Sequence, residues 1–161
     1  RKCRGRKNKM KKYELTDEKK VIDGVTLHRI RALVDIPEHD VKAGDLGGWI
    51  EAERNLSQKG AAWVADSARV IGEAWVTGSA RVMGEALVMD SADYITIGAI
   101  GSRNDTTTFY RGADGKIYVS CGCFNGSIDD FASKVKAVHA GTKHEKTYLL
   151  AVELAKAQIE T

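Results

Sequence analysis

Several things are scarce in this chain, and each shortage removes a class of answer. Nowhere in its 161 residues is there a run approaching about eighteen uncharged apolar residues, so no segment reads as a membrane-spanning helix. The basic opening leads into YELTDEKK and not into an apolar core, so no secretory signal is expected, and a soluble, cytoplasmic protein is. Cysteine appears three times, at Cys3, Cys121 and Cys123; an odd count without other marks of secretion argues against a disulfide framework. Histidine is missing from Asp45 to Ser133, so the central stretch lacks the usual general base and the commonest metal ligand.

Charge of one sign is concentrated at one end. Residues 1–9 hold six basic side chains and no acid, while residues 10–161 carry 19 basic against 22 acidic ones. Nucleic-acid binding is therefore expected only through this tail. Met10 followed by KKYELTDE looks like a translation start, so the tail is read as vector-derived or disordered. An apolar content of 43% excludes wholesale disorder for the remainder.

What the chain has in abundance is a period. From Val64 to Asp93 a six-residue unit recurs five times without a gap: VADSAR, VIGEAW, VTGSAR, VMGEAL, VMDSAD. Valine stands at 64, 70, 76, 82 and 88, and alanine four places later in each unit. A period of six fits neither a helix nor a simple strand; it fits flat faces of six residues joined at corners, with three faces to a turn of about eighteen. Valine is expected to point inward and alanine to sit near a corner. Gly72, Gly78 and Gly84, with Asp66 and Asp90 at the same phase, supply the residues that a strained corner tolerates.

These V-x-(G/D)-(S/E)-A-x units closely resemble the hexapeptide repeat of left-handed parallel β-helix proteins, which include bacterial acyltransferases and γ-class carbonic anhydrases. The arrangement after Met10 as a whole, with KAGDLGGWIE, the repeats and SRNDTTTFYR…VSCGCFNG, is similar to small uncharacterised proteins of phages and prophages. The first resemblance implies a fold and the second a setting in a bacterial host; neither defines an activity.

Segments on either side can be sketched. Val21–Ile22, Asp23–Gly24 and the run from Val25 towards Val34 read as a hairpin, and residues 20–63 as a lid over one end of the stack. Tyr94–Ile97 is expected to finish a last turn of the stack, with Gly98 and Gly101 bracketing a bend. Thr106–Tyr110 and Lys116–Cys121 form a second hairpin. Two helices follow, capped by Ser127 and Thr142, with apolar stripes Ile128, Phe131, Val135, Val138 and Leu149, Val152, Ala155, Ile159. The fold expected is mainly β: a short left-handed parallel β-helix over 64–97, an N-terminal hairpin cap over 10–63, and an α+β module over 98–161.

The sixth position of each unit faces outward in this scheme. Trp63, Arg69, Trp75, Arg81 and Leu87 are expected to form a surface buried by another copy of the chain, a trimer by resemblance, or else by the C-terminal helices folding back. Arg81 is expected one turn above Trp63, close enough for a cation–π contact.

Polar chemistry gathers in Gly101–Arg111. Arg103 and Arg111 are fork donors for carboxylate or phosphate, and Asn104, Asp105 and Thr107 add directional hydrogen bonds; a turn with a simple ion pair is the plainer alternative. Cys121 and Cys123, two apart and expected on one side of a strand, make a poor zinc pair and read as packing residues, so no metal and no cofactor are expected. The function expected is non-catalytic binding: self-association, plus capture of a host protein or of a small anionic, nucleotide-like ligand. A hexapeptide-type acyltransferase is the alternative, disfavoured by the missing histidine and the short stack.

Overall fold

A computed structural model of the chain describes residues 10–159; the basic tail at 1–9 lies outside the described residues. The fold is mainly β with two C-terminal helices. Strands β1 (Tyr13–Ile22), β2 (Val25–Ala32) and β3 (Leu46–Ile50) precede four two-residue strands, β4 (Trp63–Val64), β5 (Arg69–Val70), β6 (Arg81–Val82) and β7 (Leu87–Val88). Strands β8 (Tyr94–Ile100), β9 (Asp105–Arg111), β10 (Ile117–Cys121) and β11 (Phe124–Ser127) lead to helices α1 (Ile128–Val138) and α2 (Lys143–Ile159). None of the described helices is long and apolar enough to cross a membrane.

The repeats pair in parallel with an offset of eighteen positions. Trp63 lies beside Arg81 and Val64 beside Val82; Arg69 lies beside Leu87 and Val70 beside Val88. A bridge from Leu56 to Val76 makes a third line of parallel contact. Val64, Val70, Val76, Val82 and Val88 are all fully buried, as are Ala68, Ala74, Ala80 and Ala86. Each buried valine contributes about 1.5–3 kcal/mol of transfer free energy, so this column is the principal apolar store of the repeat region.

The corners follow the sequence pattern through four units. Asp66, Gly72, Gly78 and Gly84 all have φ between +54° and +68°. In each unit the alanine N–H closes the corner onto the carbonyl three residues back, as from Ala68 to Ala65 at 3.1 Å. The fifth unit breaks the pattern. Asp90 has an extended φ of −139° and caps a 3-10 turn at Ser91–Asp93, and Ala92 is exposed. Asp90 therefore does not share the left-handed corner conformation expected for it: its carboxylate accepts the Ala92 N–H at 2.8 Å and redirects the chain.

The stack also begins earlier than Val64. Trp49 and Ile50 of β3 already pair in parallel with Arg69 and Val70, so the expected lid over 20–63 is in part the first layer itself. Two extra residues relative to the later offset are taken up by a 3-10 turn at Glu53–Asn55. Asn55 is wholly buried and satisfied: its amide donates to Gly72 O and Ala74 O, and its side-chain oxygen accepts Ala52 N–H.

The hairpin that supplies β3 forms as expected, with Ile22 opposite Val25 across a turn in which Asp23 and Gly24 both have positive φ. Its start covers the first layer. Lys12 Nζ donates to Ala62 O at 2.6 Å, and Tyr13 Oη donates to Leu56 O at 2.6 Å. At the other end β8 does not finish a turn of the stack; it runs antiparallel to β9 through Ile100 in a four-stranded sheet ordered β11-β10-β9-β8. That sheet closes the stack: Arg81 N–H donates to Thr108 Oγ1 at 3.1 Å, Ala113 N–H to Glu85 O at 2.9 Å, and Tyr110 enters the repeat core.

A second core lies between the four-stranded sheet and the helices, built on Phe109, Phe131, Val135, Val152 and Ile159. Ser127 caps α1 and Thr142 accepts the Glu145 N–H at the start of α2, as the sequence predicts. The stripe on α1 ends one residue early: Val138 is exposed.

Two tests follow from the close packing of β3 and from the buried lysine. A Cβ on Gly47 would sit 2.6 Å from Val64 O and 2.7 Å from the Trp63 ring, so Gly47→Ala is expected to cost about 2–3 kcal/mol in urea unfolding. Gly78, whose corner is open, is expected to accept Asn for less than about 1 kcal/mol. Burial of Lys12 lowers its pKa to about 8 from 10.5, because the ammonium loses hydration. The folded state thus favours the neutral amine; Lys12 adds stability as pH rises from about 8 to 10.5, and that increment is lost on acidification through 8. The Lys12 13Cε resonance is expected to titrate with a midpoint near 8.

Candidate functional site

Gly101–Asn104 forms the turn between β8 and β9, closed by Asn104 N–H donating to Gly101 O at 3.3 Å. Asn104 has φ +51° and Gly101 has φ +78°, a conformation that brings the Gly101 backbone against the Tyr148 hydroxyl with no room for a side chain. Arg103, Asn104 and Asp105 are all exposed here, held out on a turn that α2 supports from beneath.

A cleft of about 250 Å³ opens beside this turn, between the end of the sheet and α1. Arg103 and Asp105 stand on one side and Lys134 on another, and its walls come from Phe124, Phe131, Val135, Tyr148 and His139. The aromatic rings brace each other. Phe131 meets Tyr148 edge-on at 5.5 Å and Phe124 at 5.3 Å, and His139 lies 5.6 Å from Tyr148. Lys134 Nζ sits 5.4 Å from the centre of the Phe124 ring. Tyr148 is buried, and burial first, then the Cys121 sulfur and Asp105, push its pKa up to about 12, with Arg103 opposing. Its hydroxyl therefore stays protonated at neutral pH and can donate. Chemically the cleft offers flat apolar walls with cations at the mouth, a combination suited to a ring that carries negative charge.

The other residues singled out from the sequence are placed differently. Thr107 is wholly buried, its hydroxyl donating to the Cys121 sulfur at 3.2 Å, and cannot touch a ligand. Arg111 is at the far end of β9, about 20 Å along the strand from Asp105 at ~3.4 Å per residue. It pairs with Asp93 at 2.9 Å, and its guanidinium donates to Ile159 O. Arg111 is thus a tie between the stack's exit turn and the end of α2, not a partner of Arg103.

Cys121 and Cys123 do not share a strand face. β10 ends at Cys121, and a tight turn through Gly122, φ +56°, carries the exposed Cys123 round to β11. Both nonetheless line the cleft, as does His139. Among the described residues no group of three or more His, Cys, Asp or Glu side chains is arranged to hold a metal ion.

Of the expected outward surface, Trp75 alone is well exposed, at 53%. Trp63 is buried: Gly47 of β3 lies directly on its ring, so the first layer covers it and neither a second copy nor the helices need do so. Arg69, Arg81 and Leu87 are half-buried. Arg81 stands beside Trp63 in register, but the cations over an indole among the described residues are Lys20 and Arg29, 4.1 and 5.8 Å from Trp49. Sequence reasoning singles out none of Tyr148, Phe124 and Lys134, and weighs His139 only as a disfavoured partner of the cysteines; the packing of the helices against the β10–β11 turn brings all four together.

No family model matches the chain. It is similar to an uncharacterized acetyltransferase, YdcK, of Escherichia coli (strain K12), with 40% identity over 65 residues. The match takes in 35% of this chain and 19% of that protein, so the chain spans less than a fifth of its relative.

Replacing Arg111 by Ala is expected to release the end of α2 while leaving the cleft intact. Hydrogen exchange should show faster exchange at Ala155–Ile159 and unchanged protection at Phe109 and Val119.

Proposed function

We propose that this chain is a non-catalytic binding module that captures a small anionic, nucleotide-like ligand in the cleft beside Arg103. The observation that carries this reading is the cleft's composition, with Arg103 and Lys134 at the mouth and Phe124, Phe131 and Tyr148 in the walls. Base stacking on such rings is worth about 1–3 kcal/mol, and a fork donor such as Arg suits a phosphate. The scaffold is read as a short left-handed parallel β-helix, supported by the hexapeptide pattern and the eighteen-position offset of its pairings. Self-association, as a trimer by resemblance, would use exposed Trp75, with the half-buried Arg69 and Leu87 on a separate line of the stack. A phage or prophage origin and a role in blocking a host system, in the host cytoplasm, rest on the likeness of the whole arrangement to such proteins.

Calorimetric titration with nucleoside mono- and diphosphates tests the reading. Saturable binding is expected, weakened roughly tenfold by Arg103→Ala and by Phe124→Ala. Absence of binding by every nucleotide, with a host protein retained instead by the same face, would replace the ligand by a macromolecule.

A second reading, an acyltransferase, is favoured by the partial likeness to YdcK and by a histidine that the fold brings to the repeats after all: His39, from the loop before β3, stands beside Arg81. Turnover of acetyl-CoA by the purified protein, abolished in His39→Gln, would establish it over the binding reading.

A further inference from the structure

On the other side of Asp105 from the aromatic cleft lies a second hollow, also of about 250 Å³, where the Pro37–His39 turn, β6 and the β9–β10 hairpin meet. Its lining is polar. Arg81 and His39 form one wall; Thr106, Thr108 and Ser120 form another; and the carboxylates of Glu38 and Asp105 stand around it. Two buried side-chain atoms among the described residues have no hydrogen-bond partner, His39 Nε2 and Arg81 Nε, and both belong to side chains lining this hollow. Folded proteins rarely leave a shielded guanidinium N–H or imidazole nitrogen unanswered, and two such atoms at one hollow mark a place where partners from outside the chain are wanted.

The rest of the wall is already fixed. Thr108 is buried and its oxygen accepts the Arg81 N–H at 3.1 Å, which pins the strand that carries the guanidinium to the sheet that roofs the hollow. Arg81 is a permanent cation, and its free Nε–H calls for an oxyanion. Glu38 and Asp105 repel a bare anion but accept hydrogen bonds from hydroxyl groups, so the ligand must carry both. The lining holds no large apolar side chain, so the ligand that suits it is a small polar molecule without a ring to stack.

We propose that this hollow binds a small hydroxylated oxyanion of the sugar-phosphate class, its anionic group on the Arg81 guanidinium beside His39 and its hydroxyls towards Glu38 and Asp105. The site is independent of the Arg103 cleft, although Asp105 borders both. Burial and Arg81 hold the His39 pKa below 6.5, against the opposing pull of the Ser79 backbone and Glu38, with Lys12 adding to Arg81. An oxyanion between His39 and Arg81 would offset the guanidinium charge and draw a proton onto the ring, so binding should be accompanied by proton uptake.

The test uses ribose 5-phosphate and inorganic phosphate as probes, followed through the Arg81 Nε–H and His39 ring resonances of the full chain. A saturable shift of both is expected, tighter for ribose 5-phosphate than for phosphate, with a roughly tenfold loss in Arg81→Gln and none in Arg103→Ala. The wild-type Arg81 resonance answers the question even if Arg81→Gln does not fold. No saturable shift at millimolar probe, or equal affinity in wild type and a folded Arg81→Gln, would overturn the proposal. Failure of nucleotides at Arg103 with ribose 5-phosphate still bound at Arg81 would sink the proposed function and leave this site standing.

Discussion

Stacking of valine on valine at an eighteen-position offset is the constraint on which the remainder of the molecule rests. Val64 over Val82 and Val70 over Val88 set the spacing between layers, and the backbone pairings that accompany them hold only two residues per strand. Pairings so short have little stability alone; it is the dry column behind them that makes the register unique, since a slip of one residue would turn every valine outward. The alanines matter for the opposite reason. A larger side chain at Ala68, Ala74, Ala80 or Ala86, all with essentially no exposure, would force the corner apart.

A column of this kind has two raw ends, and most of the non-repetitive chain is spent on them. One end is met by Lys12 and Tyr13, which reach Ala62 O and Leu56 O with an ammonium and a phenol where a further layer would have placed backbone amides. The other is met by Thr108, Tyr110 and Ala113 of the antiparallel sheet. The second solution has a by-product. Bringing β9 under β6 also brings Thr106, Asp105 and Asn104 beside Arg81 and His39, so the polar hollow lies along the seam where the repeats are sealed.

Legibility in the sequence follows the range of the interaction. The six-residue period, the Asp23–Gly24 turn and the Ser127 and Thr142 caps are local chemistry, readable because the residues involved are neighbours. Trp63 departs from the outward pattern because the same sixth position that faces solvent at Trp75 is roofed at Trp63 by Gly47, which belongs to a strand outside the repeat. Asp90 has the phase of a fifth corner residue, and only its bond to Ala92 turns it into an exit. Arg103 and Asp105 were visible as a polar turn, whereas Tyr148, Lys134 and His39 come from segments far off in the chain, and nothing in their own surroundings foretells the meeting. Arg111 shared the composition of that turn without sharing its location, being drawn instead to Asp93 and Ile159.

Because the sheet seals the last layer through bonds to particular sides of it, the length of this scaffold is quantised. Inserting one hexapeptide would rotate the exit by a third of a revolution and present β9 to the wrong flank, severing Arg81 from Thr108. Inserting three would restore the match and simply lift the terminal sheet and helices outward by about 4.8 Å, the spacing between adjacent strands. Repeat number can thus change only by threes, with the terminal sheet and helices carried unchanged on a stalk of variable height.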